Sequence, residues 1–183
     1  MNNIINGLSI VATPIGNLDD ITYRAVNILK DCDIIICENP KHSLKLLNKL
    51  DIKKKLIALH DYNEHKIIDK IKGLLKSKNC VLISDAGSPL ISDPGYALVR
   101  ECRAEKIVVS PIPGPCSVIA ALSVAGLPTN QFSFCGFAPA KANDRMVFLR
   151  KLYSYTKNHQ QLLLLQTFRV LIGLQYFSML LAR

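Results

Sequence analysis

The chain has 183 residues, room for one ordinary domain or for one domain and part of a second. Hydrophobic residues make up 49% of it, enough for a buried core, which excludes a disordered tether. The net charge of +9 is uneven: residues 1–140 carry 16 Lys and Arg against 13 Asp and Glu, whereas residues 141–183 carry 7 against 1. Such an excess suits a polyanion such as RNA or an acidic membrane surface, and solubility alone would also account for it.

In chain order, Met1–Gly7 lacks both a basic start and a long apolar run, so no signal peptide is expected. Short, β-branched apolar runs at Leu8–Thr13, Ile34–Cys37, Leu56–Leu59, Val81–Ser84 and Ile107–Val109 read as buried strands. Between them lie helical patterns. Ile21, Ala25, Ile28, Leu29 and Cys32 share one face of a helix opened by Asp19 and Asp20, and Ile67, Ile68, Ile71, Leu74 and Leu75 share another. This alternation predicts an α/β fold, a five-stranded, mostly parallel sheet with helices on both faces. A last helix over Gly114–Ala125 completes a first domain, residues 1–126. Gly126 and Pro128 mark a linker at 127–130, and a strand at Gln131–Phe137 opens a second α/β domain, 131–183, which is expected to be incomplete. Polar residues Gln166, Arg169 and Gln175 interrupt the apolar stretch from Leu162 to Leu181, so no membrane-spanning helix is expected there.

The six cysteines form no Cys-x-x-Cys pair and most sit inside apolar runs, as reduced thiols do in a cytoplasmic protein; no metal site is expected. Three loops after strands are rich in Gly and Pro: Thr13–Asn17, Ser84–Gly95 and Pro111–Ser117. Any one of them could be a mere tight turn. Three at the carboxyl ends of strands point to a binding edge, because proline stiffens the loops and glycine admits a ligand close to the backbone. No dinucleotide, P-loop, zinc-protease or nucleophile-elbow motif occurs. Lys41, Lys45, Lys49 and Lys53 recur every fourth residue, a one-sign stripe that a phosphate backbone would neutralise and that a solvated face would equally explain. His60, Asp61, Asn63 and Glu64 form a polar cluster that either orients a substrate or caps a helix.

Five ordered segments, Val11–Leu18, Ala58–Glu64, Ser84–Gly95, Pro113–Cys116 and Gly136–Lys141, resemble the successive signatures of the bacterial rRNA 2′-O-ribose methyltransferases of the tetrapyrrole methylase superfamily. The resemblance runs from residue 8 to about 145 and fades beyond about 155. It implies two α/β domains holding S-adenosylmethionine between them, with Pro14, Asp85, Ala86, Gly87, Ser88, Pro89 and Ser117 on the cofactor's wall. It further implies a small-subunit ribosomal RNA substrate, a soluble cytoplasmic enzyme with no membrane partner, and a homodimer. With the basic stripe, it puts RNA binding at Lys41, His42, Lys45, Lys49 and Lys141. Glu38, Asp61 and Asp85 are candidates for the group that takes the ribose proton, and the sequence does not choose among them. At Glu38–Ser43 the chain departs from the family's pattern: Asn39 replaces a carboxylate, Pro40 a hydroxyl residue and Lys41 an arginine. The family's chains are longer, so methyl transfer by this chain alone is expected to be weak or absent. A porphyrinoid substrate and a remnant without catalysis are the alternative readings.

Overall fold

The computed structural model describes residues 7–127, 129–159, 162–166 and 171–173. The chain divides into two compact units, Met1–Cys116 and Ser117–Arg183. The first contains β1 (Leu8–Val11), α1 (Tyr23–Asp31), β2 (Ile34–Cys37), α2 (Pro40–Lys49), β3 (Lys55–Ala58), α3 (Glu64–Leu75), β4 (Cys80–Ile83), α4 (Tyr96–Ala104) and β5 (Val109–Ile112). Its strands form one sheet in the order β3-β2-β4-β1-β5, and every pairing is parallel.

Strand alternation sends neighbouring residues to opposite faces, and both faces are covered. Ile34, Ile36, Cys80 and Leu82 join Ile68, Ile71, Leu75, Leu98 and Cys102 in one buried cluster, beneath α3 and α4. Ile35, Cys37, Val81 and Ile83 join Ala25, Leu29 and Leu47 in the other, beneath α1 and α2. Each fully buried Ile or Leu contributes roughly 2 kcal/mol by removal from water. β4 and β1 are neighbours whose following helices, α4 and α1, go to opposite faces. That divergence opens a crevice at their carboxyl ends, the usual ligand position in such sheets.

Several boundaries differ from the sequence reading. Helix α1 is opened by Thr22, whose hydroxyl accepts the Ala25 N–H at 3.2 Å, while Asp19 and Asp20 lie in a 3-10 turn capped by Asn17. The last strand of the sheet lies at Val109–Ile112, not Ile107–Val109. It includes Pro111, which an edge strand tolerates because one side of its backbone needs no partner. Helix α2 ends at Lys49, so Lys53 is not part of a helical stripe.

The second unit contains α5 (Ser117–Val124), β6 (Phe132–Phe137), α6 (Ala142–His159), β7 (Leu162–Gln166) and β8 (Leu171–Gly173). Helix α5, which the sequence assigns to the first domain, groups with this unit, and the 127–130 segment falls inside it. β6 and β7 pair in parallel on either side of α6, and β8 adds antiparallel to β7. A bulge between Phe134 and Phe137 accommodates Gly136 at φ +70°. The described parts of the apolar stretch after Leu162 are thus strands; residues 167–170 and 174–183 lie outside the described residues, as do the first six, and so does Pro128 of the 127–130 segment. Among the described residues no helix is long and apolar enough to cross a membrane.

Candidate functional site

The loops after β1 and β4 are stitched together across the crevice. Thr13 and Gly87 exchange both backbone hydrogen bonds, at 2.9 and 3.0 Å. The buried Thr13 hydroxyl donates to the Ser84 carbonyl at 3.1 Å, and the Ser84 hydroxyl donates to the Gly87 carbonyl at 3.0 Å. Gly87 sits at φ +84°, with space for a Cβ only against Ile15 Cγ2 at 3.3 Å. The rest of the β4 loop is bent harder: Leu90 and Ser92 take φ of +71° and +62°, costly for residues with a Cβ. Gly95, at φ +117°, leads into α4 where a Cβ would lie 2.7 Å from Leu82 Cδ2. This contorted path carries Asp93 back toward Ser84.

Carboxylates converge on these strand ends. Glu38 follows β2, Asp61 follows β3, and Asp85 and Asp93 flank the β4 loop. Burial, followed by the charges of Asp85 and Asp61, pushes the Glu38 carboxyl above its ordinary value, and His60 opposes the shift. Burial first, and Glu38 next, raise Asp93 to about 6 from an ordinary 3.8, against a hydrogen bond with Ser84. Among the described residues Asp85 Oδ1 and His60 Nδ1 are buried without hydrogen-bond partners. A buried acceptor without a donor carries a desolvation cost of about 1–3 kcal/mol, so Asp85 is neither the brace nor the cap of its own turn through that atom. Among the described residues no group of side chains could hold a metal ion.

The polar cluster after β3 divides into bracing residues and site residues. Asn63 Oδ1 accepts the His60 N–H at 2.9 Å and its amide donates to the Ala58 carbonyl at 3.1 Å, fixing the turn into α3. Glu64 is buried and accepts the Leu98 N–H at 3.1 Å. It thereby caps α4, whose own first flanking residue, Gly95, has no side chain to do so. His60 and Asp61 are left to the carboxylate group.

A cavity of about 400 Å³ lies beside the acidic group, between the β1 loop, α2 and the β4 loop. Pro14, Asp85 and Ala86 line it, together with His42 and Lys45 of α2. Residues expected to serve cofactor and RNA therefore meet on one cavity. Gly87, Ser88 and Pro89 shape the loop without lining it, and Ser117 and Lys141 belong to the second unit. Lys49 is paired with Asp19, whereas Lys41 and Lys45 are exposed and form no ion pair among the described residues. Asn39 Oδ1 accepts the N–H groups of Lys41 and His42, and Pro40 occupies the first helical position that suits it. Sequence reasoning missed Asp93; its signal was its place in the Ser84–Gly95 loop, already marked by glycine and proline.

The profile of the family described as Tetrapyrrole (Corrin/Porphyrin) Methylases matches residues 7–164, past the point near 155 where the sequence resemblance fades. Proteins called ribosomal RNA small subunit methyltransferase I are similar to the chain. That of Vibrio cholerae is 52% identical over 75% of this chain and 48% of its own length. That of Haemophilus influenzae is 42% identical over 98% of this chain and 66% of its own length. The chain thus spans about half to two thirds of these relatives. Among solved structures, diphthine synthase aligns over 87% of this chain and 63% of its own, with a TM-score of 0.65 at 15% identity. A conserved hypothetical protein of Aeropyrum pernix K1 aligns over 87% and 56%, at 0.69 and 14%. At such identities these two establish the shared fold alone.

Proposed function

The chain belongs to the tetrapyrrole methylase family, and on that premise we propose that it takes part in S-adenosylmethionine-dependent methylation of a ribose 2′-hydroxyl in small-subunit ribosomal RNA. The observation that carries the reading is the group Glu38, Asp61, Asp85 and Asp93 gathered at the sheet's carboxyl edge, with Asp85 Oδ1 a buried acceptor that has no donor among the described residues. The group suits a cationic ligand, since opposite charge relieves the mutual repulsion of the carboxylates. When bound, S-adenosylmethionine supplies a methyl group activated on a positively charged sulfur. Pro14, Asp85 and Ala86 would hold it with the backbone of Gly87, Ser88 and Pro89.

The protein's remaining work is alignment, exclusion of water and removal of one proton. When bound, the cofactor would give its methyl group to the ribose oxygen and leave as the neutral sulfide, and the hydroxyl proton would go to a carboxylate. Asp93 suits that role best, because a base works most effectively when its pKa lies near the operating pH. Glu38, shifted in the same direction, is the second choice. Asp61 and Asp85, beside them, would offset the cofactor's positive charge. The rRNA names of relatives such as those of Vibrio cholerae and Haemophilus influenzae favour RNA over a porphyrinoid, as do the exposed Lys41 and Lys45, which form no ion pair among the described residues.

Calorimetry with S-adenosylmethionine tests the first half of the reading. The second half is tested by incubating the chain, beside a full-length relative, with labelled cofactor and unmodified small ribosomal subunits, then digesting the RNA and looking for 2′-O-methylcytidine. Saturable cofactor binding and labelled methylcytidine support the proposal. Absence of cofactor binding overturns it.

A further inference from the structure

The acidic group has an apolar border that takes no part in holding the cofactor. Three large side chains stand out from the carboxyl edge of the first sheet, on its α3–α4 side: Tyr62 is 92% exposed, Tyr96 67% and Ile91 52%. Single exposed apolar residues are ordinary on a protein surface, but the placement of these is built. The buried Glu64 carboxylate accepts the Leu98 N–H at 3.1 Å and ties the start of α3 to the start of α4. Tyr62 precedes Glu64 by two residues and Tyr96 precedes Leu98 by two, so that one bond brings both rings to the same end of the helix pair. Ile91 lies between Leu90 and Ser92, whose left-handed backbones are costly for residues with a Cβ. Leu90 packs inward against the core, and Ile91 is left outside. The same segments carry the site: Asp61 adjoins Tyr62, the His60 ring lies 6.1 Å from the Tyr62 ring, and Asp93 follows Ile91 by two residues.

We infer that Tyr62 and Tyr96, with Ile91 beside them, form a stacking platform for unpaired bases of the RNA strand that flank the methylated ribose. The inference rests on the methyltransferase reading and adds the surface that holds the strand outside the reacting centre. A ribose brought to Asp93 has its neighbours along the strand at this rim. Unpaired RNA is held largely by bases splayed onto aromatic faces, and every base offers such a face whatever its identity. Asp61 at the side of Tyr62 disfavours phosphate there and leaves the uncharged face of a base as the matching surface. Lys66, in the first turn of α3, is exposed and in no ion pair among the described residues, and it supplies a cation for the backbone. A second copy of the chain fits less well. A stable dimer buries about 800 Å² on each partner, whereas two tyrosines and an isoleucine supply at most roughly 600 Å². Exposed Asp61, His65, Lys66 and Arg100 border them.

The chain contains no tryptophan, so Tyr62→Trp and Tyr96→Trp each install a single reporter on the platform while keeping an aromatic face. Hexacytidylate RNA should quench the emission of both as bases stack on the indole, and an abasic oligonucleotide of the same length should not. In anisotropy with fluorescent hexacytidylate, Tyr62→Ala and Tyr96→Ala should each weaken binding by about tenfold, the loss of one stacked base, while Tyr62→Phe binds as the unaltered chain does. The slope of affinity against salt should be the same in all of them, because no phosphate contact is lost. Both side chains are exposed, so circular dichroism should show the fold intact, and calorimetry should show unchanged affinity for S-adenosylmethionine. Undiminished RNA affinity in the alanine variants overturns the inference, and so does the absence of quenching or a failure of the unaltered chain to bind the oligonucleotide. Conversion of a dimer to a monomer by Tyr62→Ala in sedimentation, with RNA affinity unchanged, also overturns it and gives the surface to a second copy. Failure of the unaltered chain to bind S-adenosylmethionine, with quenching by RNA intact, would instead sink the methyltransferase reading and leave the platform standing.

Discussion

Replacing Asp93 with Asn should make the protein more stable and less active at neutral pH. Burial and the neighbouring Glu38 raise the Asp93 carboxyl from 3.8 to about 6. A proton is therefore taken up on folding between those two values. The resulting stabilisation is complete below about 4 and is lost as pH rises through about 6, so above that the ionised carboxylate weakens the fold. A rise of that size corresponds to ~3 kcal/mol, and because the group is only half-buried, solvent screening brings the effect to roughly 1.5 kcal/mol. An asparagine of the same shape removes the ionisation, so the Tm of the unaltered chain should fall by roughly 5 °C between about pH 4.5 and 7.5 relative to that of the variant. Activity should move the other way. The rate in the methylation assay should rise with pH through about 6 in the unaltered chain, and Asp93→Asn should lower it by about a hundredfold or more, as loss of a general base does. Paired thermal scans and initial rates across this range measure both. Equal pH dependence of Tm in the two proteins would refute the assignment of charge strain to Asp93, and full activity in the variant would refute its role as proton acceptor.

Glu64→Ala should cost about 1–2 kcal/mol by orphaning the buried Leu98 N–H, read as a lower urea midpoint at constant slope. Asn39→Ala should cost about 1 kcal/mol through loss of the α2 cap, whereas Asn39→Asp should restore the helix, both followed by thermal melting monitored by circular dichroism. Gly87→Val should abolish cofactor binding in calorimetry with the overall fold retained, because a branched side chain at φ +84° crowds Ile15 and pulls the β4 loop from its bridge to Thr13.

The sheet was legible because its signal is local. Four-residue runs such as Ile34–Cys37 and Cys80–Ile83 are apolar at every position, as burial on both faces requires. Where a boundary was misread, two local signals competed. Asp19 and Asp20 resemble a helix start, yet Thr22 is the residue whose hydroxyl reaches the backbone three positions on. Pro111 reads as a strand terminator, and only strand order places it on an edge that accepts it. Asp93 was illegible for a different reason. Its approach to Ser84 depends on left-handed turns at Leu90 and Ser92, conformations that neither residue type announces.

The departure at Asn39 and Pro40 also acquires a physical account. In sequence it looks like a lost carboxylate at a site that needs acidic groups. In the structure Asn39 is exposed and its side chain is occupied by the N–H groups of Lys41 and His42, work that an aspartate would do equally well. Pro40, which lacks an N–H, stands where a helix has no use for one. The charges that matter to the site come instead from Glu38, Asp61, Asp85 and Asp93, which sit on three different strand ends and were never adjacent in sequence. The replacement therefore leaves both the helix that presents His42 and Lys45 and the acidic group opposite it in place, so the division of charge on which the proposed chemistry depends survives it.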